Sequence, residues 1–260
     1  MYELIDANPD VNIQEEEYKR LLGYPKSREL EGRSRELADW AGHWFNKNGK
    51  PWIYAIRTDE IDISSENLII GNSKFASRKF RDMLAEANAF AIMLTIACAG
   101  KECEEEARKL WQEGKPDEYF FLETYGSAVA EFLVTIAGAH FCSWAEKNKF
   151  AILPHYSPGY AGWDVSDQKK VFELIEQKKS KDFPGKFNVL ETGMLDPKKS
   201  LIVVFGITKE VTTLNKLQEL IPCEACSMYS CQYRRKPYKQ SRILFENAWK
   251  LRAQSKNLKK

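Results

Sequence analysis

His155-Tyr156-Ser157-Pro158-Gly159-Tyr160-Ala161-Gly162-Trp163 joins an expected short strand, Phe150–Leu153, to a helical pattern from about Ser166 to Lys178. Pro158 presets φ for the first central position of a β-turn, and Gly159 can take positive φ at the second. Ser157, ahead of a proline, should be extended. The turn is expected to present backbone N–H groups to a ligand, with Tyr160 beside them. An aromatic face suits adenine or a sulfonium cation. Asp164 or Ser166 can cap the helix that follows, whose positive end lies close to the loop. The plain alternative is an ordinary β-turn with a core tyrosine, since Pro-Gly is common in turns.

Working outward, strands and helices mix without a regular βαβ rhythm, which predicts an α+β fold. Leu30, Leu37, Trp40, Ala41, Trp44 and Phe45 recur at helical spacing up to Asn48-Gly49. Trp52–Thr58 alternates like a strand. Leu68–Ile70 is a short apolar run, after which Ser73 is expected to cap a helix burying Phe75, Ala76, Phe80, Met83 and Leu84. Phe90–Cys98 reads as a buried strand and Glu102–Gln112 as an exposed helix. Pro116-Asp117 opens the longest helical stretch, to about Asn148, rich in small residues such as Gly126, Ala130 and Ala137. Val189–Glu191 and Leu201–Ile207 are expected as strands around the turn Asp196-Pro197.

Bulk properties narrow the function. The 260 residues carry 39 Lys plus Arg against 37 Asp plus Glu, a balance that argues against a dedicated nucleic-acid binder. Residues 1–10 are polar and acidic, unlike a signal peptide, and the apolar run Phe90–Gly100 is short for a membrane span. The expectation is a soluble, cytoplasmic protein with no membrane partner. No Ser/His/Asp set, His-Glu-x-x-His or Gly-rich phosphate loop stands out, so no catalytic residue is assigned.

Three of the six cysteines form Cys223-x2-Cys226-x4-Cys231. Thiolates so spaced can converge on zinc or an iron–sulfur cluster. A fourth ligand would come from Cys98, Cys103, His140, Cys142 or His155; reduced structural thiols are the alternative. A basic segment follows, from Arg234 to Lys260, which can steer an acidic partner or form a solvated tail. Residues 1–220 are read as one domain, with the Cys-rich turn and basic tail of 221–260 packed on it.

The stretch Ser157–Trp163, followed by Gln168, resembles the Ser/Ala-Pro-Gly-Tyr signature of the reactivation domain of cobalamin-dependent methionine synthase. Leu21-Leu22-Gly23-Tyr24, Asn72-Ser73-Lys74, Glu123–Glu131 and the block Met194–Ser200 before Gly206-Ile207-Thr208 fall in the order of its small stand-alone members. The resemblance spans roughly residues 15–235. It implies a curved α+β domain with a twisted, mainly antiparallel sheet flanked by helices. It also implies S-adenosylmethionine bound by His155, Ser157, Pro158, Gly159 and Tyr160, with Ser200 and Phe205 on an opposite wall. The implied partners are a corrinoid protein, or a methionine synthase lacking this domain, that carries cobalamin, and a flavodoxin- or ferredoxin-like electron donor. In the family an electron donor reduces inactive cobalt and S-adenosylmethionine supplies the methyl group. Such a transfer needs alignment and exclusion of water rather than an acid or base. The family's usual Arg, two residues before the Ser/Ala, is His155 here, so a charged bidentate contact to the ligand's carboxylate is replaced by one imidazole. The acidic residue that larger members use near their N-terminus has no counterpart. The same residues leave open a module that caps or senses a corrinoid protein without transfer, or a metal-binding redox adaptor.

Overall fold

The computed structural model describes residues 2–25 and 27–210. The elements in chain order are β1 (Glu3–Asp6), α1 (Glu15–Leu21), α2 (Gly32–Asn48), β2 (Trp52–Thr58), β3 (Ile61–Ile63), β4 (Leu68–Ile70), β5 (Ser73–Phe75), α3 (Arg78–Glu86), β6 (Ala91–Cys98), α4 (Glu102–Gln112), α5 (Pro116–Lys147), β7 (Ala151–Ile152), α6 (Asp167–Lys178), β8 (Asn188–Val189), β9 (Leu195–Asp196) and β10 (Ser200–Thr208). The fold is α+β, organised on a curled antiparallel sheet of order β1-β2-β6-β10-β7.

β6 lies at the centre because both its faces are apolar: every residue from Ala91 to Cys98 is buried. It pairs with β2 on one side and β10 on the other, Thr95 standing opposite Ala55 and Val203. Alternation then divides the core. Ile53, Ala55, Ala91, Met93, Ala97, Val203 and Phe205 face α5; Tyr54, Ile56, Ile92, Leu94, Ile96, Ile202 and Val204 face α3, α6 and the small sheet β3-β4-β5.

On the first face α5 is apolar nearly all round, and it is long and apolar enough to cross a membrane by length and composition alone. Half of that window is buried, Val129, Leu133, Ala137 and Phe141 packing in the cluster with the sheet. It is therefore a core helix here. Small residues let it approach closely: a Cβ on Gly126 would come within 2.7 Å of Cys103 Sγ. α5 starts on Pro116 and stops where Lys149 turns to φ +58 and Phe150 N–H donates to Ala145 O. α4 is amphipathic rather than simply exposed, burying Cys103, Ala107 and Leu110.

The second face corrects one expectation. Ser73 does not cap a helix; it opens β5, pairing with Ile70 across Gly71-Asn72. Gly71 adopts φ +55, so the two residues make a tight hairpin and the chain doubles back. Ser77 caps α3 instead, its Oγ accepting from Phe80 N–H at 3.3 Å.

Candidate functional site

The loop hangs on the edge of β10. Leu153 N–H donates to Gly206 O, and Tyr156 exchanges both backbone bonds with Val204. Ser157, buried, donates its hydroxyl to Ile202 O at 2.6 Å. Two tight turns follow in tandem. Tyr160 N–H donates to Ser157 O at 3.0 Å with Gly159 at φ +95, and Trp163 N–H donates to Tyr160 O at 2.9 Å with Gly162 at φ +86. Both have the glycine placement of type II turns, a conformation that side-chain-bearing residues resist. Gly159 N–H also closes onto Trp163 O at 2.9 Å. The expectation that the turn offers its N–H groups to a ligand is thus corrected: those of Gly159, Tyr160 and Trp163 are used within the loop.

An aromatic stack supports the loop from below. Phe80 and Trp163 lie 4.9 Å apart with planes 17° from parallel, and Tyr156 stacks on both. Tyr156 Oη donates to Ala161 O at 2.6 Å, lashing the second turn. Trp163 Nε1 donates to Asp167 Oδ2 at 3.0 Å, and Lys170 Nζ lies 2.7 Å from Asp167 Oδ1. This clamp escapes sequence reading, because its i, i+4 geometry exists only once α6 starts at Asp167. Ser166 occupies the N-cap without a side-chain cap bond; Asp164 Oδ1 instead accepts Ser166 N–H at 2.8 Å. Hydrogen bonding from the Ser166 side chain and backbone holds the Asp164 carboxyl below its ordinary value.

Gly159 is exposed on the outer side, while His155 and Tyr160 are half-buried there. His155 Nε2 lies 3.2 Å from Tyr160 Oη. Behind the imidazole is Phe205, at 5.5 Å between ring centroids, itself buried edge-on against Phe141 on the α5 face. Phe205 therefore backs His155 rather than opening to solvent. Ser200, at the start of β10, is buried opposite Cys98, two residues before the Ile202 carbonyl that accepts from Ser157. Gln168 Nε2 reaches Pro158 O at 3.4 Å, but its buried Oε1 has no hydrogen-bond partner among the described residues. The rim beside Gly159 is apolar: Val165, Leu190 and Met194 are 44%, 43% and 56% exposed. Gly193 brings the hairpin of Leu190 and Met194 against Val165, its Cβ position being 3.1 Å from Val165 O.

Cys223, Cys226 and Cys231, together with the basic segment, lie outside the described residues. Of the possible fourth ligands, Cys98 and Cys103 are buried free thiols and Cys142 is half-buried. Burial pushes the Cys103 thiol up to about 12. No group of three or more metal-ligating side chains occurs among the described residues.

The loop is a rigid platform with an aromatic and an imidazole on its surface, an acceptor inside it and an apolar lip. It can orient a ligand and exclude water. No family model and no curated protein matches the chain. Among solved structures it is similar to the MetH reactivation domain bound to AdoHcy, with a TM-score of 0.52 at 11% identity over 70% of this chain and 67% of that one. The likeness is one of fold.

Proposed function

We propose that the chain binds S-adenosylmethionine against the 155–160 loop and supports reductive methylation of a cobalamin carried by a separate corrinoid protein, or by a methionine synthase without such a domain. The observation that carries this reading is the fold shared with a reactivation domain that binds AdoHcy. When bound, S-adenosylmethionine supplies the methyl group and the partner's reduced cobalt accepts it, after a flavodoxin- or ferredoxin-like protein has provided the electron. The work of this chain is positioning. Tyr160 offers a face to the adenosyl or sulfonium part, and His155 one hydrogen bond to the carboxylate. Gln168 Oε1, a buried acceptor with no donor among the described residues, fits an N–H of the ligand, because burying such an oxygen unpaired is costly. The lip of Val165, Leu190 and Met194 is where a partner would seat and close the groove to water.

Calorimetry with S-adenosylmethionine and S-adenosylhomocysteine tests the reading. Tyr160→Ala and Gly159→Val should each weaken binding about tenfold or more, the second because valine resists φ +95. Absence of binding at millimolar ligand, with and without a corrinoid partner, overturns it. A second reading, a module that binds a corrinoid protein without transferring methyl, draws on His155: its imidazole stands where a charged guanidinium would grip a carboxylate, and it is engaged with Tyr160. Ligand binding without methyl transfer to the reduced partner would select it.

A further inference from the structure

A second concentration of chemistry lies where α4, α5 and the turn before β10 meet. A cavity of about 270 Å³ opens there, lined by Glu104, Arg108, Trp111, Tyr119 and Lys198, none of them from the 155–163 loop. Glu104, Arg108 and Trp111 stand at i, i+4 and i+7 on α4, so they share one stripe of the helix. Trp111 belongs to neither core cluster and is 62% exposed. Its ring sits 5.2 Å from that of Tyr119 with planes at 59°, two aromatic walls of an open corner.

The charges beside these walls do not cancel. Glu123 is flanked by two ammonium groups, Lys198 Nζ and Lys199 Nζ, each 2.8 Å from one of its oxygens. Glu104 Oε2 accepts Lys198 N–H at 3.1 Å, and Arg108 approaches Glu104 Oε1 only to 3.5 Å. Lys199 turns to Ser127 and does not line the cavity, whose lining carries one carboxylate, Glu104, against the two cations Arg108 and Lys198. The least committed is the Arg108 guanidinium, with its side chain 67% exposed. A ligand entering the cavity therefore meets flat apolar faces and an excess of positive charge. Aromatic faces alone would attract a cation, but the guanidinium and ammonium reverse that preference.

We propose that this cavity binds a planar aromatic molecule carrying an anionic group, its ring against Trp111 and Tyr119 and its anion on Arg108 and Lys198. The site is independent of the loop's ligand. Two probes with the same ring and opposite charge test it, indole-3-acetate and tryptamine, titrated by calorimetry into the full chain. Indole-3-acetate should bind saturably, and tryptamine about tenfold more weakly or not at all. Arg108→Gln and Trp111→Ala should each weaken indole-3-acetate about fivefold or more, while Tyr160→Ala leaves it unchanged. Arg108 is exposed, so its variant keeps the fold and remains decisive even if the tryptophan variant does not. The idea fails if indole-3-acetate does not saturate by 10 mM or so, well above the millimolar range of weak ligands. It also fails if tryptamine binds equally well, or if Arg108→Gln has no effect.

Discussion

The two faces of the central sheet are built in opposite ways. One is covered chiefly by a single 32-residue helix, α5, laid over three alanines and larger residues such as Ile53, Met93 and Phe205. The other is assembled from pieces: a three-stranded sheet, the nine-residue α3, α6 and a hairpin of two-residue strands. The continuous face supplies a dense core. The assembled face leaves seams, and the Pro-Gly loop sits in one of them, held both by its hydrogen bonds and by the stack of Phe80, Tyr156 and Trp163. A rigid scaffold with function on its connecting segments is the general pattern.

Substitutions on the two faces should separate stability from binding. Leu133→Ala, at a fully buried position of α5, should cost about 2–5 kcal/mol in urea unfolding and leave ligand affinity intact at temperatures where the protein stays folded. Asp167→Asn should cost less, about 1–2 kcal/mol, yet loosen Trp163 and weaken S-adenosylmethionine binding. Equal effects of the two on affinity would erase the distinction between the faces.

The α5 face also depends on pH through Glu123. Burial pushes its carboxyl up, but the hydrogen bonds and charges of Lys198 and Lys199 outweigh that, leaving it below its ordinary value. A depressed folded value contributes stability above the unfolded value, near 4.3, that is lost as pH falls through the folded one. Glu123→Gln should therefore destabilise by about 1–3 kcal/mol at neutral pH. The gap between variant and wild type should narrow below about pH 4, as chemical denaturation across pH will show.

The smallest expected effect is on the loop. If His155 contacts a ligand carboxylate, the contact favours the imidazolium, whose ordinary value is near 6.5. Affinity for S-adenosylmethionine should then rise a few-fold as pH falls from about 8 to 6, and His155→Arg should flatten the profile. The variant is the needed control because the ligand's amine and the other histidines also respond to pH. Identical profiles for the two proteins would remove His155 from the carboxylate.

Long elements were legible because their patterns are self-contained. Trp52–Thr58, Glu102–Gln112 and Pro116–Lys147 carry enough residues for period and caps to agree. Phe150–Leu153 and Val189–Glu191 were legible as short strands, set in the fold at Ala151–Ile152 and Asn188–Val189, but other short strands were not. Glu3–Asp6 and Leu195–Asp196 become strands only because Ile53–Ile56 and Asn188-Val189 lie alongside. After Ile70, the helical spacing of Phe75, Ala76, Phe80, Met83 and Leu84 hides the hairpin that Gly71-Asn72 makes. In the loop, Pro158-Gly159 announced a tight turn correctly. The closure of Gly159 N–H onto Trp163 O of the second turn depends on Gly159 and Gly162 acting together and is not readable from the Pro-Gly pair alone. The Trp111 corner was invisible for a similar reason, since Lys198 reaches it from far along the chain.

The strand order sets a schedule for synthesis. β6 ends at Cys98, yet β10, its neighbour on one side, is complete only at Thr208, roughly a hundred residues later. At about 5–20 residues per second, a strand apolar but for Thr95 leaves the ribosome with one edge unpaired for about 5–20 s. An open edge of that kind is a template for pairing with other chains. Slow translation between residues 98 and 208 should therefore lower the yield of folded protein, and a factor that shields nascent apolar segments should restore it.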